Sequence, residues 1–269
     1  ESEAALTPLT PEKVDAISQT PWTTLGYGVS YKAIDSATNE DNALLVYGGY
    51  TAQDVYVQRW ADELVRTKTS MGIAHLYAIR GPNQAGYANE EIMNSKLAAH
   101  LGAGGANGIA AKASSIIVVA HSSGTYVADE LLSMLRQGAS GPAATTLGKV
   151  TLFNLDGGGV SSASLVAAMK NTYFVYAYDA GIGRYSHNAS GMKSLGDEYD
   201  AHGGAIKVNA QGSGCSKSAS GGLWCLHDTL ITTRPHNPAM YDLRNDYTDF
   251  SSTPSRKVVT SYLDVLDSQ

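Results

Sequence analysis

Long apolar runs are missing from this 269-residue chain. Its longest stretches, such as Tyr173 to Tyr178, fall far short of the ~20 residues that carry a helix across a bilayer. Positive charge is also in short supply. The formal net charge of −6 argues against nucleic acid or an anionic membrane surface as the main partner, because both need basic patches. Only two cysteines are present, Cys215 and Cys225, in a Gly/Ser-rich stretch that lacks the C-x-x-C and His-x-x-x-His spacings of a zinc site. They read as one disulfide formed in an oxidising compartment. A ring that short stabilises by about 2–3 kcal/mol at most, so its expected effect is local: it pins the residues just after Cys225. Phenylalanine is scarce, with 3 against 16 tyrosines, and a ring with a polar tip suits partly wet surfaces and amphipathic ligands. No internal repeat and no proline-rich linker divides the chain, so a single domain over residues 1–269 is expected. There is no start methionine and no apolar leader. The chain opens Glu1-Ser2-Glu3-Ala4, as a processed secreted protein would. Asn188-Ala189-Ser190 is a glycosylation sequon consistent with that reading.

What is there is a core. Hydrophobic residues make up 43% and charged residues 16%, enough to bury a sizeable interior. Short apolar runs alternate with helical patterns. Thr24 to Ala33 reads as an early antiparallel strand, and Ala43 to Tyr47 as a buried strand ending in Gly48-Gly49. Asp54 to Arg66 carries apolar residues at helical spacing. Strands follow at Ile73 to Ile79, Ser115 to Ala120, Val150 to Leu155, Tyr173 to Tyr178 and Ala205 to Val208. Helices fall between them at Glu90 to Leu101, Ser123 to Arg136 and Ser162 to Lys170, with a closing helix at Lys257 to Leu266. Such alternation predicts an α/β protein with a mostly parallel central sheet and helices on both faces. Ligands of such sheets bind beyond the carboxyl ends of the strands. Gly49, Ser122, Asp156 and Asp179 all fall there.

The sequence Ala120-His121-Ser122-Ser123-Gly124 sits between a buried strand and a helix. Small-x-Ser-x-Gly in that setting is the nucleophile elbow of the α/β-hydrolases, and its small residues let helix and strand pass close to the turn. Ser122 is then the nucleophile, and Ser123 supplies a backbone N–H to the developing oxyanion. A second donor should come from the loop after an earlier strand, which assigns Gly49, with Tyr50 as the alternative. Among seven histidines, His75 and His100 lie within predicted elements and read as structural. His121 neighbours the nucleophile and should aim its side chain elsewhere. His227 follows Cys225 by two residues and is the first choice for the base, because a disulfide there would fix hydrogen-bond geometry. His202 and His236 are its alternatives. Either Asp156 or Asp179 can orient the imidazole and stabilise its cation, and the residues alone leave that choice open.

Several segments resemble one family, the secreted lipases of the pancreatic type within the α/β-hydrolase superfamily. The likeness runs from about Leu44 to Thr229. LLVYGGYTAQDVYVQRWADEL is similar to that family's strand, oxyanion loop and tryptophan-bearing helix, and VVAHSSGTYVADE to its nucleophile elbow. GKVTLFNLDGGG is similar to the segment whose aspartate is the family's triad acid. CLHDT matches its Cys-x-His, where the histidine is the base. The resemblance implies a triad of Ser122, Asp156 and His227 and turns the choice of acid toward Asp156. The chain departs from the family in Gly157-Gly158, in Ala120, in having no disulfide-bounded lid, and in having no room for a C-terminal β-sandwich. A long-chain triglyceride substrate therefore does not carry over.

Together these readings predict a secreted serine esterase or lipase acting on an ester or lipid substrate, with no metal or organic cofactor, and a monomer. Acyl transfer or amide hydrolysis at the same site, and a non-catalytic ester-binding protein of this fold, are the rival expectations.

Overall fold

In a computed structural model the described residues are 16–17, 19–35, 40–50, 52–82, 90–137, 146–159, 162–215, 217, 219–231 and 260–269. They build one nine-stranded sheet. A hairpin of β1 (Thr23–Gly26) and β2 (Val29–Ala33) leads into β3 (Asn42–Tyr47), α1 (Asp54–Thr67) and β4 (Ile73–Ile79). Then come α2 (Glu90–Gly102), α3 (Ile109–Lys112), β5 (Ile116–His121), α4 (Gly124–Gln137), β6 (Val150–Leu155) and α5 (Ala163–Ala168). The chain continues through β7 (Asn171–Asp179), β8 (Arg184–Tyr185), α6 (Ala189–Glu198), β9 (Gly203–Asn209) and α7 (Ala219–Asp228).

The strand order is β1-β2-β4-β3-β5-β6-β7-β8, with β9 also on β7. Strands β4, β3, β5, β6, β7 and β9 run parallel, while β2 joins β4 antiparallel. Every residue of β3, β5 and β6 is buried, as expected for strands covered on both faces and therefore rich in consecutive aliphatics. Their alternation splits the core in two. Leu44, Val46, Ile117, Val119 and Phe153 meet Trp60 and Leu64 of α1 on one face. Ala43, Leu45, Ile116 and Val118 meet Leu97 of α2 and Val127 and Leu131 of α4 on the other. The sheet order, with the serine turn following β5 at its centre, is the α/β-hydrolase arrangement.

Three local expectations need correction. Thr24 to Ala33 is a hairpin, broken at Tyr27-Gly28, where both residues have positive φ. The sequence map has no element between Tyr178 and Ala205, yet Ile182 to Gly204 holds β8 and α6. Ala189, Met192 and Gly196 are buried at helical spacing, but two glycines and a sequon hide the pattern. The closing segment is a 3-10 helix over Tyr262–Ser268, and residues 257–259 lie outside the described residues.

The pairing around β7 decides which residues reach the carboxyl edge of β6. Tyr178 pairs with Asn209 of β9 on one edge and with Tyr185 of β8 on the other. Strand β6 shares that second edge but its pairing stops at Leu155. Strand β8 therefore extends the line of β6 beyond its end, and the residues after β8 arrive at the tip of β6.

Candidate active site

Ser122 follows the last residue of β5, and its backbone N donates to Leu155 O of β6 at 3.0 Å. Its φ is +54°, a left-handed conformation that costs a non-glycine residue about 1–3 kcal/mol and persists only where the surroundings enforce it. Helix α4 starts two residues later, and the side chain is half-buried at the carboxyl edge of the sheet. The loop after β3 presses against this turn. A Cβ built on Gly49 would lie 3.2 Å from Ser122 Cβ and 3.0 Å from His121 Nδ1, so glycine lets the backbone approach the serine without crowding.

Asp156 follows β6 in the same way, with φ +48°, and is fully buried. Its backbone N donates to Val175 O at 2.7 Å. Gly157 then packs on the elbow, since a Cβ there would meet Thr125 Cγ2 at 2.3 Å and Ser122 O at 2.7 Å. The Asp156 carboxylate is held from three sides. Ser186 Oγ donates to Oδ1 at 2.8 Å, Asn188 N donates to Oδ2 at 3.1 Å, and His227 Nδ1 donates to Oδ2 at 2.6 Å. Asn188 Nδ2 also donates to the Asp156 carbonyl at 2.7 Å. Ser186 and Asn188 are the residues that β8 delivers to the tip of β6.

His227 stands in the last turn of α7, not on a loop. Cys225 lies two residues earlier on that helix and is bonded to Cys215 across a Cα separation of 5.7 Å, so the brace joins the helix to the segment after β9. A carboxylate facing Nδ1 fixes the proton there and leaves Nε2 with its lone pair. Burial lowers the imidazole's pKa, but the hydrogen bond and charge of Asp156, with the charge of Asp228, outweigh it and raise the pKa above its ordinary value.

His121 does more than fill space. Its Nε2 donates to His227 O at 3.0 Å, and its ring centroid is 4.5 Å from that of His227. His227 is thereby tied to the residue next to Ser122. Burial, with the nearby His227, drives the His121 pKa to about 3 against the opposing pull of Asp228 and of the backbone bond to His227, so its ring stays neutral. His121, His227 and Asp228 are also the group with metal-like spacing among the described residues, their ligand atoms within 4.8 Å of one another. His227 Nδ1 is engaged by Asp156, which leaves one nitrogen of that ring for any ligand.

The other candidates lie elsewhere. Asp179 is buried, but it accepts from Gly181 N at 2.8 Å and from Ser213 Oγ at 2.8 Å, closing the turn after β7. His202 precedes β9 at the amino edge of the sheet, opposite Ser122. His75 and His100 bond the hydroxyls of Tyr31 and Tyr77. His236 lies outside the described residues. The amide of Asn188, read in the sequence as a sequon, is half-buried against Asp156. Sequence reasoning missed Ser186, Asn188 and His121 as neighbours of Asp156 and His227. The pairing of β8 with β7 that brings the first two to the acid has no local signature.

No family model matches this chain, and no curated protein does. It is similar in structure to a lipase-esterase related protein from Clostridium acetobutylicum, at 14% identity and TM-score 0.32, over 49% of this chain and 47% of that one. The chain thus spans about half the length of that relative. An esterase from Pyrobaculum calidifontis is similar at 11% identity and TM-score 0.43, over 74% and 79% of the two chains. A thermostable esterase from Pseudomonas putida is similar at 11% identity and TM-score 0.47, over 94% and 89%.

Proposed function

We propose that this protein is a serine hydrolase of carboxylic esters. The observation that carries the proposal is the 2.6 Å bond from His227 Nδ1 to the fully buried Asp156, in a chain that also holds Ser122 on a strained strand-to-helix turn after β5. His227 is prepared as a base by the same carboxylate that would stabilise its cation. Ser122 Oγ attacks the ester carbonyl carbon and passes its proton to His227 Nε2. The carbonyl oxygen, now an oxyanion, accepts hydrogen bonds from Gly49 and Ser123 N–H. The tetrahedral species collapses, His227 protonates the departing alcohol, and an acyl group is left on Ser122. Water then attacks that acyl carbon with His227 again taking the proton, and the acid leaves as Ser122 recovers its hydrogen.

The Cys215–Cys225 bond supports action in an oxidising, extracellular setting. Among the described residues no helix is long and apolar enough to cross a membrane. The test is hydrolysis of p-nitrophenyl esters by the wild type and by Ser122→Ala. Turnover by the wild type, lost in the variant, is the expected result. Equal turnover in both overturns the assignment of the nucleophile, and no turnover in either favours an ester-binding protein without catalysis.

A further inference from the structure

Trp224 is an exposed aromatic residue to which the hydrolytic reading gives no role. It lies on α7 three residues before His227, so the two side chains leave the same side of the helix about one turn apart. Its indole stands edge-on to the His227 imidazole, with centroids 5.3 Å apart and planes at 86°. His187 stacks on it at 3.9 Å and 20°. The indole is thus held in one orientation, yet it remains 40% exposed, whereas Trp60 in the core is 0% exposed. A large apolar ring fixed in place and left facing water is unfavourable unless something covers it in use. His187 adds no charge to the platform above neutral pH. Burial and the neighbouring His227 lower its pKa from the ordinary value, with Asp156 opposing. The platform suits a neutral, flat group.

The chemistry decides which half of an ester meets this wall. The acyl carbon must sit on Ser122, below the amides of Gly49 and Ser123. The leaving oxygen must lie within hydrogen-bond reach of His227, which gives it a proton. The first carbon of the alcohol is one bond further out, on the side of the base. A group attached to that carbon is then within reach of a ring whose centroid is 5.3 Å from the imidazole.

We infer that Trp224, backed by His187, forms the alcohol-side subsite and selects esters whose alcohol carries an uncharged planar ring one carbon from the oxygen, as in arylmethyl esters. The subsite rests on the hydrolase reading above. It adds no step: ester and water give acid and arylmethyl alcohol.

The experiment compares kcat/KM for benzyl acetate and ethyl acetate in the wild type, Trp224→Ala, Trp224→Phe and His187→Ala. Trp224→Ala should lower the benzyl-to-ethyl ratio by about 5–30-fold, His187→Ala by less, and Trp224→Phe should retain most of it. The ratio of methyl benzoate to methyl acetate, with the ring on the acyl side, should move less than about 2-fold in all of them. A benzyl-to-ethyl ratio that stays constant while both rates fall overturns the subsite, because Trp224 would then only position His227. A change confined to the benzoate ratio overturns it too. A second arm needs no turnover: benzyl alcohol titrated into Ser122→Ala should shift the Trp224 indole N–H resonance saturably, with the signal assigned by its absence in Trp224→Phe. Failure of the wild type to hydrolyse any ester refutes the hydrolase reading alone, whereas an unmoved indole resonance refutes the subsite.

Discussion

Asp156 and Asp179 end neighbouring strands at the same edge of one sheet, and both are buried, yet they hold different structures together. Asp179 is bonded to Gly181 and Ser213, within its own turn and the segment after β9. Asp156 is bonded to Ser186, Asn188 and His227, which come from two other elements. The first stabilises a loop. The second aims an imidazole. What separates them is the short strand β8, which extends the line of β6 and brings two hydrogen-bond donors to its tip. A carboxylate at a strand end takes its role from what the chain brings back to it.

Neutralising each acid in turn challenges this contrast most severely. Asp156→Asn keeps the shape but no longer fixes the Nδ1 proton of His227, and kcat should fall by about 10³–10⁴-fold. Asp179→Asn should leave kcat within about 3-fold and cost about 1–3 kcal/mol of stability, since a buried pair of hydrogen bonds is weakened. Steady-state kinetics with urea unfolding measures both. A dead Asp179→Asn beside an active Asp156→Asn would reverse the assignment.

The donors around Asp156 refine the difference. Ser186→Ala removes a donor to the Asp156 carboxylate and should lower kcat by about 10–100-fold with little change in KM. Asn188→Leu removes only the bond to the Asp156 carbonyl, keeps the N–H on the carboxylate, and should cost less. Ser186→Ala added to Asp156→Asn should cost almost nothing more, because residues that act through one group are not additive. Full additivity would mean that the Ser186 hydroxyl acts elsewhere.

The two acids should also differ in their effect on pH dependence. His227 must be neutral to accept a proton, and its pKa is raised by Asp156. The wild-type kcat/KM should therefore fall with acid through a midpoint above about 6.5, the ordinary histidine value. Removing the Asp156 charge leaves burial to dominate, so in Asp156→Asn the midpoint should move to lower pH. In Asp179→Asn it should stay where it is. A pH–rate profile of each variant decides this.

The smallest effect belongs to the disulfide. Cys215→Ser with Cys225→Ser should cost about 2–3 kcal/mol and reduce activity only several-fold, because α7 is also held by His121 on the His227 carbonyl. Thermal unfolding beside kinetics tests it.

These particulars also explain how much could be read in advance. The elbow was legible because strand, turn and helix lie within some twenty consecutive residues, and each leaves its own periodicity. His227 was approachable through Cys225, a landmark two residues away. The choice between Asp156 and Asp179 was not legible from spacing, since both follow apolar strands. What distinguishes them, Ser186 and Asn188, sits in a stretch where glycines and a sequon hide β8 and the start of α6. The contact of His121 with His227 joins residues 106 apart in sequence, and no local pattern encodes it.

The proposed nucleophile is tested directly with an alkyl fluorophosphonate, from which a serine oxygen activated by its base displaces fluoride to form a stable phosphonate ester. Intact mass and peptide mapping should find one adduct per chain, on Ser122, absent from Ser122→Ala and slow to form in Asp156→Asn. An adduct on another residue that persists in Ser122→Ala, or no adduct in a wild type that hydrolyses esters, would contradict the proposed triad.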